Sequence, residues 1–187
     1  MPLICETIVI TTDPKGSLHM APLGLIADAE RWITAPFRPS QTLENIYAQP
    51  RFVANLTDDA RYFAGCLTGR DAWPLAPTRP EYPPRLLGAL AHLELEVEEV
   101  REDPVRPRFV CRVQGQGTHA SFSGHNRAFA AVVEAAVLVS RLHLLAPADI
   151  ESEFSRLRII VSKTAGPREV EAFEWLEAKV ADQRAAT

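Results

Sequence analysis

The residues best equipped for chemistry lie between Ile33 and Gly69, in the run ITAPFRPSQTLENIYAQPRFVANLTDDARYFAGCLTG. Arg38, Ser40 and Thr42 bring one guanidinium and two hydroxyls together just ahead of a helical pattern, in which Leu43, Ile46 and Tyr47 recur at i, i+3 and i+4 until Pro50 stops it. The first amides of a helix have no intrahelical acceptor and carry partial positive charge, so a helix N-terminus is an anion site. Arg38 adds a full charge there, and Ser40, Gln41 and Thr42 add hydroxyl and backbone donors. That combination suits a phosphate monoester. Taken singly, Ser40 reads as well as a helix cap and Arg38 as a surface charge. Together, in an acidic chain, they point to an anionic ligand.

Strands must carry these residues. Trp32–Phe37 and Phe52–Leu56 are β-branched and aromatic runs, each leading into a polar helix start. For the second helix, Thr57 or Asp58 is the expected N-cap, with Phe63, Cys66 and Leu67 as its buried face. Upstream, Leu3–Thr12 and Leu18–Ile26 flank the turn Asp13-Pro14-Lys15-Gly16, and a second turn at Asp28–Glu30 leads into a third strand, Arg31–Phe37. The opening is therefore an antiparallel meander.

Downstream, five prolines between Trp73 and Pro84 predict an extended loop without a sheet donor pattern. Ala89–Val100 alternates cleanly, with His92, Glu94, Glu96 and Glu98 on the face expected to meet solvent and the arginines of a partner strand, Arg108–Gln114. A small, polar stretch from Gly115 to Gly124 marks a boundary, and the rest is helical. One helix is expected over Asn126–Leu145, a second through Ile150, Phe154, Leu157 and Val161, and a third opening on Pro167. The first has only a narrow polar stripe of Arg127, Glu134 and Arg141, which points to a subunit interface and a homodimer.

These segments carry a resemblance. FRPSQTLENI and FVANLTDD are similar to the two ligand-contacting segments of FMN-binding split barrels. CETIVITT, LHMAPLGL, NRAFAAVVEAAVLVSRLHLL and SKTAGPREVEAFEWL resemble, more narrowly, an uncharacterised flavin-binding split-barrel family of archaea and bacteria. The similarity spans nearly the whole chain outside 73–84. It implies an antiparallel split β-barrel over residues 1–117, with a C-terminal helical extension over 118–187. It also implies FMN, with Arg38, Ser40, Gln41 and Thr42 at the phosphate and Asn55 and Thr57 at the isoalloxazine edge. His19 lies on a strand that lines the flavin site in such proteins, and reads equally as an exposed strand-end histidine. The implied activity is a flavin-dependent oxidoreductase acting on a small molecule, with NAD(P)H or a pterin-like compound as substrate. The alternatives are an FMN carrier or sensor without turnover, or a split barrel using haem or a deazaflavin.

Composition narrows the remaining classes. A net charge of −4 with basic residues scattered among acids argues against nucleic acid and anionic membranes as partners. Glu6 sits where a secretory signal would need basic and then apolar residues, and Cys5, Cys66 and Cys111 have apolar neighbours and no CxxC spacing. A cytoplasmic protein with free thiols is expected. Gly115-Gln-Gly117-Thr-His-Ala120 mimics a dinucleotide fingerprint, but the next helix starts too late and no parallel strand follows. His119 and His125 have no third ligand at a recognisable spacing, and Ser121 and Ser123 lack a nucleophile-elbow context, so neither a metal site nor a catalytic serine is expected.

Overall fold

A computed structural model describes residues 2–185 of the chain. They form two compact units, one comprising residues 2–57 and 73–122, the other residues 58–72 and 123–185. The first is a closed antiparallel barrel of six strands. In chain order these are β1 (Ile4–Thr12), β2 (Leu18–Asp28), β3 (Arg31–Thr34), β4 (Arg51–Leu56), β7 (Ala91–Arg101) and β8 (Arg108–Thr118). Around the barrel the order is β1-β2-β3-β8-β7-β4, with β4 closing onto β1 through the pairs Ile8↔Asn55 and Ile10↔Val53.

Val9, Leu25, Phe52, Ala54, Leu95, Phe109 and Cys111 fill the core, joined by Leu43 and Ile46 of helix α1 (Gln41–Ala48). Alternation follows from the pleat, since successive side chains on a strand point to opposite faces. On β1, however, every residue from Thr7 to Thr11 is buried. Its threonines remain satisfied by giving their hydroxyls to β2 carbonyls, Thr7 to Leu23 at 2.7 Å and Thr11 to His19 at 3.4 Å.

Four expectations need correction. The third strand stops at Thr34, where Arg106 reaches across and donates to the Ala35 carbonyl from Nε at 3.0 Å and Nη2 at 2.9 Å. The proline-rich segment does enter a sheet: β5 (Leu75–Ala76) pairs with β6 (Arg85–Leu86), because the residues between its prolines keep their amides. His92 and Glu94 are buried rather than solvated, and Glu94 pairs with Arg79 of the 77–84 loop instead of a β8 arginine. Farther along, Glu98 does pair with Arg112 across the strands at 2.6 Å.

The fourth correction concerns α2, which runs Arg61–Thr68 and buries Tyr62, Phe63, Ala64 and Gly65. Neither Thr57 nor Asp58 caps it; the Asp59 carboxylate accepts the Arg61 amide at 3.1 Å and the Arg61 guanidinium at 2.7 Å. The second unit combines α2 with α3 (Arg127–Val139), α4 (Pro147–Thr164) and α5 (Pro167–Ala185), the last opening on Pro167 as its sequence indicates. The α3 helix ends six residues before Leu145 and is packed by α2, α4 and α5, so much of its apolar circumference is covered within the unit. Asp59 also binds Arg168 at 3.8 Å, and Arg61 reaches Glu171 at 3.2 Å, which ties the start of α2 to the start of α5. Among the described residues, no helix is long and apolar enough to cross a membrane.

Candidate functional site

The candidate residues fall at the two ends of β4. Helix α1 leads into its beginning, and the first group of candidates sits on and just before the α1 N-terminus. Ser40 is the N-cap, with extended backbone and Oγ accepting from the Leu43 amide at 3.2 Å, while its carbonyl accepts from Glu44 at 3.1 Å. Helical geometry leaves the amides of Gln41 and Thr42 without an intrahelical acceptor. The Thr42 residue is buried, whereas Gln41 is exposed and donates its side-chain amide to Asn45 Oδ1 at 2.8 Å. Asn45, buried, donates in turn to Thr11 Oγ1 at 2.9 Å. Because Thr11 pairs with His19 across β1 and β2, His19 belongs to this same end of the barrel.

Arg38 is firmly oriented. Its Nη2 donates to Tyr47 Oη at 2.7 Å and pairs with Glu102 Oε2 at 2.8 Å, while Nε reaches the Asp103 carbonyl at 3.3 Å. The guanidinium lies 5.4 Å from the Tyr47 ring centroid. Burial is the leading influence raising the Tyr47 hydroxyl above its ordinary value, and the Glu102 carboxylate adds to it. The remaining guanidinium nitrogen, Nη1, carries two further N–H groups that an anion can take. The donor set therefore fits a phosphate, although a carboxylate stands beside it as a competitor.

Asn55 and Thr57 lie toward the other end of β4, Asn55 four steps or about 13 Å from Arg51 at ~3.3 Å per residue and Thr57 just past the strand. Asn55 is fully buried and bonded at both ends of its amide: Nδ2 donates to the Ile8 carbonyl at 2.9 Å, and Oδ1 accepts from the Leu86 amide at 2.8 Å. It joins β4 to β1 and β6. Thr57 is half-buried just beyond the strand. The structure thus brings Arg38, Ser40, Gln41, Thr42 and His19 to one end of the barrel and Asn55 and Thr57 to the other, a separation that only an elongated ligand would span.

Sequence reasoning missed Asn45, Tyr47 as a partner of Arg38, and Glu102. The Gln41–Asn45 spacing of four is a visible helix pair, but nothing local links Arg38 to a residue 64 positions away. Burial pushes the Cys66 and Cys111 thiols up to about 12, so neither is a thiolate nucleophile at neutral pH. Among the described residues, no three His, Cys, Asp or Glu side chains are grouped to hold a metal ion.

A six-stranded closed barrel with a helix between β3 and β4, followed by a helical C-terminal region, is the FMN-binding split-barrel fold. Two family models then cover the chain, the N-terminal domain of the protein of unknown function DUF447 over residues 5–120 and the corresponding C-terminal model over residues 126–178. The chain belongs to the DUF447 family. Among solved structures, the FMN-bound protein MM1853 from Methanosarcina mazei, assigned to the same family, is 22% identical with a TM-score of 0.85 over 96% of each chain. The 2-nitrobenzoate 2-nitroreductase NbaA of Pseudomonas fluorescens is 18% identical with a TM-score of 0.53, over 64% of this chain and 66% of its own. The styrene monooxygenase flavin reductase of Pseudomonas putida S12 is 20% identical with a TM-score of 0.50, over 60% and 77%.

Proposed function

We propose that the chain is an FMN-binding flavoprotein and a flavin-dependent oxidoreductase acting on a small molecule. The observation that carries the reading is the match, over nearly the full length and within one family, to a protein solved with FMN bound. The α1 N-terminus supports it independently, since it offers free helix amides and an oriented guanidinium to a phosphate. In this reading Arg38 and the Gln41 and Thr42 amides hold the phosphate, Ser40 keeps the helix start in shape, His19 lies at that same end, and Thr57 faces the rest of the ligand. Asn55 acts by holding β4 to β1 and β6 rather than by donating to the ring. Bound flavin supplies two-electron redox chemistry, and the protein positions it and admits the second substrate, NAD(P)H or a pterin-like compound.

The working form is a homodimer. Support comes from a groove of about 570 Å³ on the helical unit, where Leu138, Leu157, Ile159 and Ile160 lie between Glu134, Glu153 and Arg156. A second reading, an FMN carrier or sensor without turnover, is favoured by the absence of a general acid or base among the candidate residues other than His19.

Purified protein should be yellow and release FMN by mass analysis, and it should oxidise NADH or NADPH in steady state. Release of FAD or haem, a deazaflavin spectrum, or no ligand after reconstitution would overturn the FMN assignment. Bound FMN without turnover with either nucleotide or a pterin acceptor would select the carrier.

A further inference from the structure

The Gly115-Gln-Gly117 spacing that leads to no dinucleotide site has a different explanation in the barrel. Gly117 on β8 sits opposite His92 on β7, and Gly115 opposite Glu94. A Cβ on Gly117 would lie 2.9 Å from His92 Cε1 and 3.1 Å from His119 Cε1, and one on Gly115 would run into the Glu94 carboxylate. The two glycines clear the strand for three polar side chains. His92 and Glu94 are 8% and 3% exposed, and the rings of His92 and His119 stack 5.0 Å apart at 17°. His92 Nδ1 lies 2.8 Å from His119 Nε2, while His92 Nε2 is 3.7 Å from Glu94 Oε1.

Two imidazole nitrogens at that separation need one N–H and one lone pair between them. The carboxylate beside His92 Nε2 favours a proton there, so in the neutral pair Nδ1 of His92 accepts from Nε2–H of His119. A proton taken up from solvent at His119 Nδ1 lets the shared proton pass to His92 Nδ1. The result is an imidazolium beside Glu94 and a neutral His119 that now accepts. A second proton would have to occupy His119 Nε2, where it would meet the N–H of His92.

We propose that His92 and His119 form a proton-operated clasp, closed while the pair carries at most one positive charge and open once both rings are charged. The clasp secures the turn after β8, where the His119 and Ala120 amides both donate to the Leu90 carbonyl, at 2.7 and 3.2 Å. The charged groups facing the pair are Glu94 of β7, Arg79 of the 77–84 loop and Arg85 of β6, while β8 presents Gly117. His119 is itself exposed, and partial desolvation, Arg85 and His92 together hold it below the usual histidine range. Burial pushes the Glu94 carboxyl upward, but the Arg79 hydrogen bonds and the His92 charge outweigh it and hold the group below its usual range. Stability from a depressed group is present above its unfolded value and lost as pH falls through the folded one, so acid is the opening signal for both.

The test is an imidazole ¹⁵N NMR titration of the protein as isolated and of H92Q and H119Q. In the wild type the pair should titrate in two separate steps, the second below the ordinary histidine range. Protection of the His119 and Ala120 amides, taken against the intrinsic exchange rate at each pH, should fall at least tenfold across that second step. Each variant should leave a single step. Two wild-type rings titrating independently, as in the single variants, would overturn the proposal. So would two separated steps with unchanged protection of those amides. Should the variants fail to fold, the wild-type titration decides alone.

Discussion

Replacing Arg38 by alanine separates two roles of one side chain, tying two loops together and attracting a phosphate. In the structure Arg38 joins the start of α1 to the β7–β8 loop through Glu102 and the Asp103 carbonyl, and donates to Tyr47 of α1 as well. The Arg38 and Glu102 side chains are 38% and 65% exposed, so solvent screens their pairing to about 0.2–1 kcal/mol, and Arg38→Ala should lower stability by less than about 1 kcal/mol. A charge-assisted hydrogen bond to the FMN phosphate contributes on the order of 1.5–3 kcal/mol. Glu102 competes for the same guanidinium, which leaves a net loss of about 1–2 kcal/mol, a rise in Kd of roughly five- to thirtyfold. Fluorescence titration of the apoprotein with FMN and with riboflavin, beside denaturant melts, measures both quantities. Riboflavin has no phosphate, so its affinity should hardly change. Glu102→Gln removes the competitor and should tighten FMN roughly two- to fivefold. Arg101→Ala, whose partner is Glu99 on the same strand, should alter neither ligand. Equal losses for FMN and riboflavin, or a weaker FMN complex in Glu102→Gln, would refute the reasoning.

Asn55→Ala should lower stability by about 2–4 kcal/mol in denaturant melts, because the Ile8 carbonyl and the Leu86 amide both lose a buried partner. A loss below about 0.5 kcal/mol would reassign the residue from the scaffold to the ligand. Gly117→Ala should cost about 1–3 kcal/mol through the contact with the His92 and His119 rings and should abolish their two-step titration. Light scattering at micromolar concentration should give twice the 20.7 kDa chain mass, and Ile159→Glu, in the apolar groove, should return it to the single-chain value.

Where the sequence carried its own local cause, it predicted the structure well. Asp13-Pro14-Lys15-Gly16 turns the chain because Gly16 takes a φ of 87°, and Pro167 starts α5 because a first-turn residue needs no amide donor. Ser40 caps α1 by the hydroxyl-to-amide bond its position suggests. The misreadings came from partners that a local pattern does not contain. Alternation put Glu94 on a wet face, yet a loop residue 15 positions earlier covers it and supplies its counter-charge. Asn55 is placed at the isoalloxazine edge by resemblance alone, and its amide is bonded to backbone 47 and 31 positions away. Arg38 and Ser40 read as an anion-binding combination from their types and spacing, but the Glu102 that pairs with Arg38 lies beyond any periodicity.

The helical unit is assembled from pieces that the ribosome delivers at different times. Helix α2 is complete at Thr68, and its first partner, α3, does not begin until Arg127, 59 residues later. At about 5–20 residues per second, the buried face of α2, with Tyr62 and Phe63, waits roughly 3–12 s during synthesis before α3 begins to emerge. Closing that gap is a non-local step of the kind that slows folding. A chain cut after residue 122 would keep every barrel strand and still carry α2 with nothing from α3, α4 or α5 to bury it. Such a fragment is expected to aggregate during translation, even though the cut falls close to the junction between the two family models.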